Sequence, residues 1–190
     1  MDFAKLIERV KGIILSPKTE WEKIAAESAD VKSLYLGYAV ILAAIPAIAL
    51  VISLWRLSIG VAIGFAAAQY VLGLIVLFVV SVIVNALAPT FDGTKSDIGA
   101  LKLTVYSTTP AWLAGIFNVI PYLGGVIALV GAVYAIYLLY LGFTPLMKNP
   151  EEKSVGYTAL TVVCYIALMF VVSLVAGGIF MGGALMRGGL

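Results

Sequence analysis

From residue 57 to residue 91 the chain carries no charged side chain. A run of 35 uncharged, mostly apolar residues has few places to go in water. It is too long for one upright membrane helix and too short for two helices and a turn. A single tilted span over about 63–87 satisfies it, preceded by a short entry bearing Gly60 and Gly64. Composition agrees, since 63% of residues are hydrophobic, 12% are charged and the mean hydropathy is +1.10. Soluble domains carry roughly twice that share of charge. The chain belongs in a membrane.

Four further apolar segments are long enough to cross about 30 Å of hydrocarbon: about 34–55, 99–120, 124–146 and 156–181. Pro46 interrupts the first, and Lys102 lies near enough to the end of 99–120 to snorkel. Pro121 breaks that segment, and 122–124 makes a tight turn. The expected fold is therefore all-α, a polytopic bundle of five transmembrane helices (34–190) behind a cytoplasmic segment (1–33). Basic residues set its orientation. Ten lie before the first span or in the loops after the second and fourth, against only Arg56 and Arg187 elsewhere. The N-terminus is expected in the cytoplasm and the C-terminus outside.

Residues 1–33 carry six basic and six acidic side chains, so they make no polybasic tether. Phe3, Leu6, Ile7, Val10, Ile13 and Ile14 recur at helical spacing, with Lys5, Glu8, Arg9 and Lys11 opposite. Ser16-Pro17 ends this amphipathic helix and starts another, with Ser16 as N-cap. Trp21, Ile24 and Ala25 form the second apolar face, Trp21 suiting the headgroup layer. Thirty-three amphipathic residues ahead of the first apolar run do not resemble a signal peptide. Both helices are expected to be interfacial. They either anchor the edge of the bundle or offer a docking surface made of Phe3, Leu6, Val10 and Trp21.

The chemistry is mostly exclusion. With no histidine there is no His metal site, no Ser-His-Asp triad and no Cys-His dyad. Every carboxylate falls outside the hydrocarbon, which argues against a proton-coupled carrier and an intramembrane aspartyl protease. A net charge of +2 gives nucleic acid nothing to bind, Cys164 has no partner, and no cofactor is implied. Ser96 or Asp97 caps the helix after 96, and Asn149-Pro150-Glu151-Glu152 reads as a helix start. Ser107-Thr108-Thr109-Pro110 is the exception among the spans. Pro110 frees a carbonyl near Tyr106, to be satisfied by Thr108, Thr109 or Asn85 of another span. Gly60/Gly64/Ala68 and Gly178/Gly182 have the spacing that lets helices, or two copies of the chain, pack closely.

Three strings carry a resemblance. They are Ser-Pro-Lys-Thr-Glu-Trp-Glu-Lys-Ile (16–24), Ala-Leu-Lys-Leu-Thr-Val-Tyr-Ser-Thr-Thr-Pro-Ala-Trp-Leu-Ala-Gly (100–115) and Tyr-Ala-Ile-Tyr-Leu-Leu-Tyr-Leu-Gly-Phe-Thr-Pro-Leu-Met-Lys (134–148). In this order and spacing, with five spans, the chain resembles prokaryotic members of the Ypt-interacting protein (Yip) family. The resemblance implies a polytopic membrane protein with a cytoplasmic N-terminus. Eukaryotic members act in vesicle transport and bind Rab-type GTPases and one another. This chain lacks their long hydrophilic N-terminal region and their Asp-Leu-Tyr-Gly-Pro motif, which argues against a GTPase partner. The expectation is a non-enzymatic scaffold or adaptor of the cytoplasmic membrane of a prokaryote, with the lipid bilayer and a second copy as partners. The alternative is a small channel or carrier for an ion, lipid or neutral solute. A continuous polar passage favours the carrier, and a dry bundle favours the scaffold.

Overall fold

The computed structural model describes residues 3–56, 59–120 and 122–188, with side chains for all of these except 173 and 175–188. Among the described residues there are only helices and turns. Four helices are long and apolar enough to cross a membrane: Val31–Leu54, Ile59–Phe91, Leu123–Met147 and Glu151–Val172. This is a multi-pass membrane protein.

The chain opens with a helical hairpin, α1 (Phe3–Leu15) and α2 (Pro17–Ala26). Ser16 is the N-cap of α2 and Pro17 its first residue, where a missing N–H costs nothing. Helix α3 (Val31–Leu54) begins with a reciprocal cap in which Asp30 and Ser33 bond each other's backbone N–H. It loosens into a π turn at Tyr35–Ala39 and passes through Pro46. Helix α4 (Ile59–Leu87) is one continuous helix of 29 residues that includes Gly60 and Gly64. The expected glycine-bearing entry is thus helical. A helix this long exceeds the hydrocarbon thickness at about 1.5 Å per residue, which tilt accommodates.

Segment 97–119 is built differently from these long helices. It comprises α5 (Asp97–Ser107), a break at Thr108, α6 (Thr109–Ala114) and a 3-10 turn at Gly115–Val119. The cause is Pro110, which cannot continue α5 but fits the first turn of α6. Nine consecutive residues of α5, Gly99–Ser107, are buried, so this segment is the core around which the lipid-facing helices pack. Ile120 then turns extended, Tyr122 takes a φ of 65°, and α7 (Leu123–Met147) starts. Pro121 lies outside the described residues. Helix α8 (Glu151–Gly188) begins with Glu151 and Glu152 against the positive end of its dipole. Gly178 and Gly182 lie where side chains are not described.

One end of the bundle is tied together by side chains. The Tyr157 ring stacks between Phe91 (4.7 Å) and Phe143 (3.9 Å), and its hydroxyl donates to the Val84 carbonyl. Asn85 accepts from the Ser96 N–H at 2.7 Å and donates to Asp97, while the Ser96 hydroxyl caps α5 through the Gly99 N–H. Asn85 therefore organises the start of α5. It bonds the start of α5 and not the break at Thr108 that it was expected to serve.

Candidate functional site

The candidate site is where the hairpin α1–α2 docks on the bundle beside the broken segment. Trp21, expected in the headgroup layer, is 1% exposed. It stands edge-on to Tyr106 of α5 at 6.4 Å and lies against Gly142 of α7. A Cβ at residue 142 would fall 2.8 Å from the indole and 2.4 Å from Leu103 Cδ1, so only glycine leaves room for the ring. Leu6 is also buried and Val10 half-buried against the core, while Phe3 stays exposed. Of the four residues expected to form an outward docking surface, two are thus turned into the protein. A Trp face and an apolar helix stripe gain as much from a protein core as from headgroups, and only tertiary packing decides between them.

Charges hold the same interface. Arg9 of α1 pairs with Glu20 of α2 and with Glu27 just beyond it, and its guanidinium lies 5.7 Å from the centroid of the Tyr106 ring. Burial works against the cation, but the hydrogen bond and charge of Glu27, with Glu20 behind it, raise the pKa of Arg9 above its usual value. Gly12 makes space for Glu20, since a Cβ there would meet its carboxylate at 2.5 Å. From the bundle, Lys102 reaches back. Its Nζ donates to the Ile24 carbonyl at 2.7 Å and to the Glu27 carbonyl, at the negative end of α2. Lys102 does not snorkel; it is 5% exposed and caps a helix of the hairpin. Tyr134 of α7 likewise donates to the Ile14 carbonyl at 2.7 Å, near the end of α1.

From Tyr106 the contacts run inward to the break. Tyr38 of α3 packs edge-on to Tyr106 at 4.7 Å, and its hydroxyl lies 2.8 Å from the Thr109 hydroxyl. Thr108 Oγ1 donates to the Thr104 carbonyl at 2.7 Å, and Ser107 Oγ donates to the same carbonyl at 3.2 Å. Thr104 Oγ1 in turn donates to Ala100 and Leu101. The hydroxyls around Pro110 are therefore engaged with protein. Sequence spacing located Thr108, Thr109 and Pro110 but missed Tyr38, Tyr106, Lys102 and the Arg9–Glu20–Glu27 group. The available signal was a lone lysine and two tyrosines in apolar runs, which alone read as interfacial.

Two cavities flank this path. One, of about 260 Å³, is lined by Thr104, Ser107, Thr108 and Thr161 among apolar residues. The other, of about 570 Å³, lies between α3, α4, α6, α7 and α8, and Tyr165 lines both. Among the described residues no group of three His, Cys, Asp or Glu side chains is placed to hold a metal. The arrangement can lock helices together, and its cavities can hold small molecules.

The Yip1 domain family model matches residues 11–186 of the chain. No curated protein and no solved structure matches it.

Proposed function

The chain belongs to the Yip1-domain family, and on that premise we propose that it is a non-enzymatic membrane scaffold of the Yip type. One observation carries this reading. The polar groups of the broken segment, Lys102, Thr104, Ser107, Thr108 and Thr109, all hydrogen-bond to protein. An unpaired polar group in hydrocarbon costs several kcal/mol, so a channel leaves such groups facing water, whereas a scaffold saturates them.

In this reading segment 97–119 is a fifth, kinked span, and the protein sits in the cytoplasmic membrane of a prokaryote. The N-terminus is cytoplasmic, because ten of twelve basic residues lie at that end. The hairpin lies along the cytoplasmic side and presents its exposed residues, Phe3 and Ile7 among them, to lipid or to a partner. Self-association through α4 is supported by Gly64, which has no neighbour within 4 Å of its Cβ position. A carrier is the second reading, and the 570 Å³ cavity favours it. Solute flux through protein-bearing vesicles separates the two: the scaffold passes none.

A further inference from the structure

The 570 Å³ cavity lies between α3, α4, α6, α7 and α8. Gln69 of α4, Trp112 of α6, Asn118 of the 3-10 turn and Tyr165 of α8 all line it. None of these side chains hydrogen-bonds to another described residue; Gln69, Asn118 and Tyr165 are exposed and Trp112 is half-buried, and the Asn118 backbone carbonyl accepts from Ser53 at 2.9 Å. Tyr70, in the same wall, is different, since its hydroxyl donates to the Val40 carbonyl at 2.9 Å. The contrast with the hydroxyls around Pro110 is direct. There Thr104, Ser107, Thr108 and Thr109 bond to protein, and here four polar side chains line one wall with no hydrogen-bond partner among the described residues.

The lining says what fits. Among the described residues no charged side chain lines it, and an ion entering would lose its hydration without gaining an opposite charge from them. Two amides and a phenol both donate and accept, and an indole donates. Apart from Tyr70, the other described lining residues are apolar, including Pro46, Leu50 and Leu72. The volume falls within the range of small-molecule sites, about 300–1,000 Å³. We infer that this cavity binds a neutral amphiphile, a hydrocarbon body carrying one or two uncharged hydroxyl or carbonyl groups that bond Gln69, Trp112 and Asn118. The site does not depend on the scaffold reading, which stands or falls on flux.

Trp112 provides the test. The full chain with Trp55→Phe, keeping Trp21 in its buried place, is reconstituted in phosphatidylcholine vesicles and titrated with a bromine-terminated long-chain alcohol. The expected result is saturable quenching that the unbrominated alcohol displaces and that disappears in Trp112→Phe. Gln69→Leu and Asn118→Leu should each raise the half-quenching concentration about fivefold, the scale of one net hydrogen bond. Circular dichroism of both variants checks that they remain folded, and the brominated carboxylate of equal chain length should give no saturable phase. Quenching that rises linearly without displacement would overturn the site, because it reports bulk lipid. Equal saturable quenching by the carboxylate, or no effect from either substitution, would overturn the assigned chemistry.

Discussion

The Lys102 ammonium, within the most buried helix of the bundle, donates to the carbonyl of Ile24, 78 residues earlier in the chain. A cation at a helix C-terminus bonds orphan carbonyls and opposes the dipole there. This contact joins the N-terminal hairpin to the core, and Trp21 and Arg9 meet Tyr106 one turn further along α5.

Replacing Lys102 with Met keeps most of the stem and removes the donor. Hydrogen bonds to a charged group are worth about 1.5–3 kcal/mol, so undocking of the hairpin should become tenfold or more easier. Limited trypsin digestion of the protein in detergent checks this, through the cleavage rate after Lys18 and Lys23. An unchanged rate would show that Lys102 does not hold the hairpin.

Gly142 should tolerate no side chain while Trp21 is present. Gly142→Ala is expected to cost about 1–3 kcal/mol by overpacking, measured as a loss of thermal stability. Adding Trp21→Leu should recover part of that loss, because the smaller side chain vacates the space the new methyl needs.

Tyr38 and Thr109 should be energetically coupled. Tyr38→Phe and Thr109→Val each break the same 2.8 Å contact. The double variant should therefore cost less than the two single losses added, by about 0.5–1.5 kcal/mol. Strict additivity would place the two hydroxyls in separate networks.

Orientation is open to chemical labelling. In a Cys164→Ser background, cysteines at the exposed positions Thr94 and Glu152 should resist an impermeant thiol reagent added to intact cells. A cysteine at Gly189 should react. Labelling at Thr94 but not at Gly189 would reverse the assigned topology.

Much of the membrane architecture is legible in hydropathy, because a bilayer demands long apolar helices and Pro110 must break one of them. The fate of the amphipathic hairpin is not legible in that way. The stripe containing Leu6 and Ile13 suits a membrane interface or a protein groove equally, and Gly142, which makes the groove, lies 121 residues from Trp21. Asn85 shows the same limit. An amide near a span end suits a kink or a loop, and only the return of the chain at Ser96 and Asp97 fixes it as a loop clamp. Gln69 and Asn118 are visible in the sequence as polar residues in apolar runs, but nothing local brings them to one cavity.

The most direct test of the scaffold assignment is flux through purified protein in liposomes. Monovalent cation, anion and lipid movement would be followed beside empty liposomes and beside Thr108→Val with Thr109→Val. No protein-dependent movement is expected, with the double variant altered only in stability, because the Thr108 and Thr109 hydroxyls bond Thr104 and Tyr38. Flux above that of empty liposomes that falls in the double variant would contradict it and make the protein a carrier.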